Sequence, residues 1–412
     1  MPSSYAWPVA FGAALGFMSL GAPSGAAVAP VTLAQALQRA QAQSPLISSA
    51  QAALDAARGR ARQAGFSPNP EAGLQSENIA GSGPYQGISN AETTFSLGQR
   101  LELGGKRRTR VATAQAEVET AAVRAAIARA DLTQEVKTRY ALALEAKARV
   151  AVAQEAAERA RDLARVAAAL VEAGREPPLR ALRARTASDE AEAAVLAAQT
   201  LALAARRALT SLWGDPDFEI ELVEPLAAPT PQMAVDPNIS LDVRLAQAER
   251  AAAEAAIERE RAAGDPDLTI QAGVRRFEQT GDRALIVGFT APIPIRDRNQ
   301  GNVAAARADA NAAQARERLA LTGSIRAMRD AQASLKAAEA RLEVLSSRTV
   351  PQAQQAVDLA RQGFEAGKFS LLDVLDAQAA LLASRNDLIA ARLERALALA
   401  ALERAAAQED RS

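Results

Sequence analysis

Ser96 to Glu117, SLGQRLELGGKRRTRVATAQAE, passes from one hydrophobic period to another without a loop between them. Leu97, Leu101 and Leu103 keep the two-residue spacing of a strand, and beyond Lys106 the apolar positions recur at about 3.6 residues, the spacing of a helix. The stretch occurs twice. Sliding the sequence by 192 residues lays Phe289 to Asp309, FTAPIPIRDRNQGNVAAARAD, on the same template, with Leu101 on Ile293, Leu103 on Ile295, Lys106 on Arg298 and Val111 on Val303. A strand that continues straight into a long helix points to a barrel whose wall changes from sheet to helices. The junction residues are Gly104, Gly105 and Lys106 in the first copy and Pro292, Pro294, Asn299 and Gly301 in the second.

Composition agrees with long helices packed side by side. Of 412 residues roughly a quarter are alanine, 3% are aromatic and 23% are charged, with 48 of each sign. A net charge of zero leaves no electrostatic footprint for a nucleic-acid partner. Cysteine and histidine are both absent, which removes disulfides, thiolate and imidazole metal ligands, lipid attachment through cysteine and the commonest general base. With no nucleophile motif either, no catalytic residue, cofactor or metal site is expected, and the chain does not read as an enzyme.

Residues 1–29 read as an export signal, an apolar run from Val9 to Leu20 followed by small residues and an Ala27-Val28-Ala29 cleavage pattern. No later segment reaches 18 uninterrupted apolar residues, so a crossing of the membrane must be made by β-strands. Two similar halves are expected, residues 30–225 and 238–412, joined by a proline-spaced linker at 226–237. The first opens with two helices broken at Ser44-Pro45, capped by Thr32, with Leu33, Leu37, Leu46, Ile47, Ala50 and Leu54 on the buried stripe. A hairpin over about 69–103 follows, with strands at Glu71–Glu77 and Thr93–Leu103 around a Gly- and Ser-rich loop. From Gly105 to Ala173 no proline or internal glycine intervenes, so the helix spans on the order of 100 Å. It turns at 174–178 and returns from Leu179 to Leu212, and a short strand is expected within Phe218–Val223.

The second half repeats the plan with a helix over Leu241–Ala263, a hairpin over about 266–295, a long helix from Val303 to Ala366 interrupted at Gly323 and Pro351, a turn at 367–370 and a last helix over Leu371–Ala407. In its hairpin Leu268, Ile270, Ala272 and Val274, then Leu285, Val287, Phe289, Ile293 and Ile295, alternate with small or polar residues. That is the pattern of strands with lipid on one side and water on the other, and equally of a half-buried sheet edge. Five of the ten aromatics after the signal lie in or beside the hairpins, which favours membrane girdles. Four strands cannot close a barrel, and an open sheet in lipid leaves unpaired backbone groups that cost several kcal/mol each. Chains must combine; three would supply twelve strands over twelve helices, a number that spacing alone leaves open.

The run Leu101-Glu102-Leu103-Gly104-Gly105-Lys106-Arg107, the run from Pro292 to Asn302, and Glu365-Ala366-Gly367-Lys368 followed by Leu372 to Gln378 resemble the outer membrane efflux protein (TolC) family, most closely its heavy-metal, CzcC-like branch. The resemblance implies a mainly α channel-tunnel with a small β part. Three chains build a 12-stranded outer membrane barrel that continues into a periplasmic α-barrel, docked through a periplasmic adaptor onto an inner membrane RND-type pump. It also implies that Asp373 and Asp376 line the periplasmic gate, beside Lys368. Phe364 and Arg180 depart from what the family's gate carries at the matching positions, and Arg180 and Arg183 are expected to pair the two hairpins when the mouth is closed. The tip glycines Gly174 and Gly367, flanked by small residues, are expected docking positions for the adaptor. Spacing alone is compatible with solvated charges near a helix N-terminus and with plain helix caps. A soluble periplasmic coiled-coil adaptor or scaffold is the rival reading, and it predicts no alternating hairpins.

Overall fold

A computed structural model describes residues 29–215, 220–223 and 236–408. The export signal up to residue 28 and the linker up to residue 235 lie outside the described residues. In chain order the elements are β1 (Ala29–Val31), α1 (Leu33–Gln43), α2 (Pro45–Ala64), β2 (Glu71–Glu77), β3 (Glu92–Leu101), α3 (Lys106–Glu172), α4 (Pro178–Thr210), β4 (Ile220–Leu222), α5 (Leu241–Ala263), β5 (Leu268–Phe277), β6 (Arg283–Thr290), α6 (Gln300–Val344), α7 (Val350–Glu365) and α8 (Leu371–Ala405). No described helix is long and apolar enough to cross a membrane.

The helices stand as a wall four columns wide. Helices α2 and α4 lie along α3, α3 also packs on α5 and α8, and α6 with α7 flanks the column formed by α5 and α8. Small side chains make this possible, because the residues buried along α3 include Ala114, Ala125, Ala143, Ala157 and Ala167, which let neighbouring backbones approach. Within the α5/α8 column the two helices meet end to end. The Leu241 amide donates to the Ala407 carbonyl at 3.1 Å, and Arg404 binds both oxygens of Asp242 at 3.1 and 3.2 Å and also Asp131 of α3. Those two carboxylates hold the largely buried guanidinium above its ordinary pKa although burial alone would lower it.

A core at mid-height anchors the wall. Strands β1 and β4 pair in parallel, and Val31, Ile220 and Leu222 close over Leu132, Val136, Tyr140, Leu209 and Trp213. The buried Tyr140 hydroxyl donates to the Val31 carbonyl at 3.0 Å. The outer columns, by contrast, leave large apolar side chains uncovered: Leu196 and Leu201 on α4, Leu319 on α6 and Leu359 on α7 are each more than 60% exposed. One chain is therefore a wall with two apolar edges.

Several expectations require correction. Strand β6 ends at Thr290, not Ile295, because Pro292 and Pro294 carry no N–H for the ladder. Gly323 does not interrupt the second long helix; it lies inside α6. The interruption expected at Pro351 is a π turn over Leu345–Thr349 just before it, where the Val350 amide reaches back to the Leu345 carbonyl. Leu46 is exposed; Leu54 is buried and Leu33, Leu37 and Ile47 pack partly buried against the core as expected, and the stripe also takes in Ala36, Ala40 and Ala57. The junctions correspond at 194 residues, not 192, since Gly105 and Asn299 are the two N-cap residues before α3 and α6.

Candidate functional site

The four long strands form one antiparallel sheet in the order β2-β3-β5-β6. Its register lines up Leu74, Phe95, Val274 and Leu285 in one row and Ala72, Leu97, Ala272 and Val287 in the next, with Ile270 beside Phe289 below. These rows share one face, and at the outer strand Leu285, Val287 and Phe289 are 84, 77 and 81% exposed. The opposite face is mostly small and polar, with Gln75, Thr94, Ser96, Gly98, Gln271 and Gly273, and Phe277 and Ile286 as its large apolar members. An apolar face with no protein against it and a small, polar face behind it fit lipid outside and water inside. Strands β2 and β6 are the open edges and run in opposite directions, a geometry that allows β6 of one chain to extend an antiparallel ladder onto β2 of another.

The turn after α5 is wedged between both strand–helix junctions. Gly104 has φ +64°, and a Cβ there would lie 1.9 Å from Asp265 Oδ2 and 2.5 Å from Asp265 Cβ. A Cβ on Gly264 would lie 2.6 Å from the Arg298 carbonyl oxygen. Lys106 Nζ reaches Asp267 Oδ1 at 2.7 Å, and Asn299, itself at φ +60°, donates from its amide to the Glu260 carbonyl at 2.8 Å and to Glu260 Oε2 at 2.9 Å. Asn302 donates to Asn299 Oδ1 at 2.6 Å, while Gly301 has open space around it. Pro292 and Pro294 end the strand, and the Pro294 carbonyl accepts from Arg298 Nε at 3.3 Å. The Asn299 amide, with Arg259, holds the Glu260 carboxyl below its ordinary range.

Arg110 ties the first junction together. It chelates Glu102 while donating to the carbonyls of Ala64 at 2.8 Å and Phe66 at 3.0 Å, which caps the end of α2. The hydrogen bonds from Arg110 hold the Glu102 carboxyl below its usual range. A depressed carboxylate adds stability above its unfolded pKa and loses it as pH falls through the folded value. Glu102→Gln is therefore expected to destabilise the assembled protein by about 1–2 kcal/mol at pH 7, with the gap to wild type narrowing below about pH 4. Melting followed by circular dichroism at both pH values tests this; a gap that does not depend on pH contradicts it.

At the far end of the wall the two helical hairpins turn at Gly174 and Gly367, with φ +70° and +71°. Both are Schellman turns: the Arg175 amide bonds to the Leu170 carbonyl at 2.9 Å and the Lys368 amide to the Gly363 carbonyl at 2.7 Å. A side chain on either glycine would meet open space. Asp373 serves as the N3 residue of a capping box, accepting from the Ser370 amide and hydroxyl, both at 2.7 Å. The Ser370 hydroxyl is the main reason its carboxyl stays below the ordinary range. Asp376 and Lys368 are exposed, and so is Arg183. Arg180 pairs with Glu176 of its own hairpin, so within one chain the structure does not join it to Asp373. Phe364 packs against the tip core of Leu163, Ala167, Ala184, Leu371 and Val374, and the Phe369 ring covers Gly363.

Sequence reading missed the wedge of Gly264 and Asp265, the Arg404 clasp and a charged group around Arg275 on the inner face of the sheet. Arg275 was legible as an inward residue from the alternation; its partners on two other strands were not.

The family model described as "Outer membrane efflux protein" matches residues 36–215 and 238–408. The chain is 33% identical over 369 residues to the cobalt-zinc-cadmium resistance protein CzcC of Cupriavidus metallidurans, covering 87% of this chain and 86% of that one. It is 34% identical to the nickel-cobalt-cadmium resistance protein NccC of Alcaligenes xylosoxydans xylosoxydans, covering 74% and 70%. The crystal structure of the outer membrane protein VceC of Vibrio cholerae superposes with a TM-score of 0.77 at 24% identity, over 90% of this chain and 95% of that one. A sheet with a bare apolar face and two open edges, standing on a helical wall matched along nearly its whole length, is accounted for together with these likenesses: the chain belongs to the outer membrane efflux protein family, as a channel subunit of the outer membrane whose helices stand in the periplasm.

Proposed function

We propose that this chain forms the exit duct of a tripartite system that exports heavy-metal cations. Three copies close into one channel, and a periplasmic adaptor couples it to an inner membrane RND-type pump. The observation that carries the substrate class is the pair of relatives named for resistance to cobalt, zinc, cadmium and nickel. The chain's part is passive. Its two open sheet edges and two apolar helical edges meet those of neighbouring copies, and the polar sheet face lines a water-filled bore.

At the periplasmic mouth, Asp373 and Asp376 stand three residues apart on exposed positions of α8, so three chains bring six carboxylates around one axis. Such a ring selects the sign of a passing ion and not its identity. Phe364 supports this turn from beneath, and Lys368, Arg180 and Arg183 place positive charge around it. Gly174 and Gly367 present uncluttered backbone to an adaptor.

The test is replacement in a cell that keeps its metal pump and adaptor but lacks its outer membrane component. The chain should restore tolerance to zinc, cobalt or cadmium; restored tolerance to organic toxins alone would refute the metal assignment. In that assay Gly174→Leu with Gly367→Leu is expected to abolish export while the trimer persists. The new side chains meet open space, and left-handed strain costs only about 1–2 kcal/mol at each turn. Full export by that variant would remove the tips from the docking surface, and full export by Asp373→Asn with Asp376→Asn would remove the acidic mouth.

A further inference from the structure

The inner face of the sheet concentrates its charge at the end away from the helices. Glu77 closes β2, Glu92 opens β3, and the two are direct cross-strand partners. Carboxylates placed opposite each other on one face repel. Arg275 of β5 lies against both, 3.1 Å from Glu77 Oε2 and 2.8 Å from Glu92 Oε2, and its Nε donates to the Thr94 hydroxyl at 3.0 Å. All four side chains belong to the face opposite Leu74, Phe95, Val274 and Leu285.

Little else charges this end of the bore. Inward positions below the triad, among them Gly73, Gln75, Ser96, Gln271, Gly273 and Ile286, are uncharged, and the next inward charges, Glu71 and Arg100, lie at the opposite end of their strands. The loop over 78–91 contains no charged residue. In the β5–β6 connection Glu278 pairs with Arg276, which with Arg283 belongs to the outward face, and Asp282 sits in the turn itself. Two carboxylates against one guanidinium leave one net negative charge in each triad, and three chains repeat it around the bore.

We propose that the Glu77–Arg275–Glu92 triads form an electrostatic ring that favours cations at the outer exit of the channel, with Arg275 as the counter-ion that both permits the paired carboxylates and limits their strength. The proposal rests on the channel reading above and adds to it a second place where the sign of the passing ion is chosen. A strong acidic ring without a counter-ion would retain a divalent cation on its way out. Arg275 keeps the ring attractive without turning it into a trap.

Salt concentration separates this ring from other influences. Screening lengths are about 30 Å at 0.01 M, 10 Å at 0.1 M and 3 Å at 1 M, so wall charges reach the middle of a twelve-stranded bore only in dilute salt. The experiment is the cation-to-anion permeability ratio of purified trimers in planar bilayers under potassium chloride gradients, at low and high mean salt. In dilute salt, Arg275→Gln should raise the ratio about threefold, and Glu77→Gln with Glu92→Gln should push it toward anions, with both differences vanishing near 1 M. The double glutamate variant removes the repulsion and keeps Arg275 bonded to amide oxygens and Thr94, so it assembles even if Arg275→Gln does not. An assembled double variant with the wild-type ratio in dilute salt overturns the ring. A wild-type trimer that conducts nothing overturns the channel reading itself, a distinguishable failure.

Discussion

Val287→Arg is expected to keep the protein from assembling in the outer membrane. Val287 sits in the second row of the apolar face, between the levels of Leu285 and Phe289, with most of its surface bare in a single chain. A cation at mid-depth on the lipid side of a barrel costs about 2–4 kcal/mol, and each trimer bears that cost three times. The control is Gln271→Arg, at the neighbouring level on the opposite face, where the new guanidinium meets water. The measurement is the fraction of protein recovered as heat-resistant trimer from outer membranes. It should collapse for Val287→Arg and stay near wild type for Gln271→Arg. If both variants assemble equally well, the assignment of lipid and lumen faces is wrong.

Gly104→Val should be nearly as damaging, for a reason confined to the junction. The backbone there has φ +64°, which a β-branched side chain tolerates poorly, and the new Cβ would overlap Asp265 at both its carboxylate and its own Cβ. Strain of about 1–2 kcal/mol and overpacking of about 1–3 kcal/mol add, because the Asp265 backbone is pinned in the turn after α5. Gly105→Ala makes the comparison. Its φ is +74°, but the nearest obstacle is the mobile Arg108 guanidinium at 3.5 Å, so only the backbone strain remains. The temperature at which trimers dissociate should fall much further for Gly104→Val than for Gly105→Ala. Equal shifts would mean that Asp265 moves aside freely and that the wedge does not fix the angle between sheet and helices.

What the sequence discloses here is what neighbouring residues decide among themselves. Helix α3 runs from Lys106 to Glu172, within a residue of the span free of proline and glycine, and Thr32 caps α1 through the side-chain exchange its position anticipates. Alternation around Phe95, Val274 and Leu285 assigns the faces of the sheet because a strand has only two. Legibility ends where partners lie far apart in the chain. Asp265 against Gly104, Arg404 between Asp131 and Asp242, and Arg275 between Glu77 and Glu92 leave no local trace, since each depends on which columns and strands become neighbours. Pro351 shows the intermediate case. The residue announces an interruption, and a widened turn just before it is the form that interruption takes, absorbing the missing hydrogen bond so that the helix carries on. At the tip, Asp373 has a local duty in its capping box that is visible from Ser370 three residues before it.

The two unmatched edges of the sheet also bear on inheritance. A copy whose β6 edge is spoiled by proline, yet whose helical edges still recruit neighbours, would enter assemblies and leave a seam unsealed. With three seats to fill, the yield of watertight conduits would fall as the cube of the share of sound copies. A cell carrying equal doses of sound and spoiled genes would retain about an eighth of its outlets, so an allele that merely fails to close would behave as dominant.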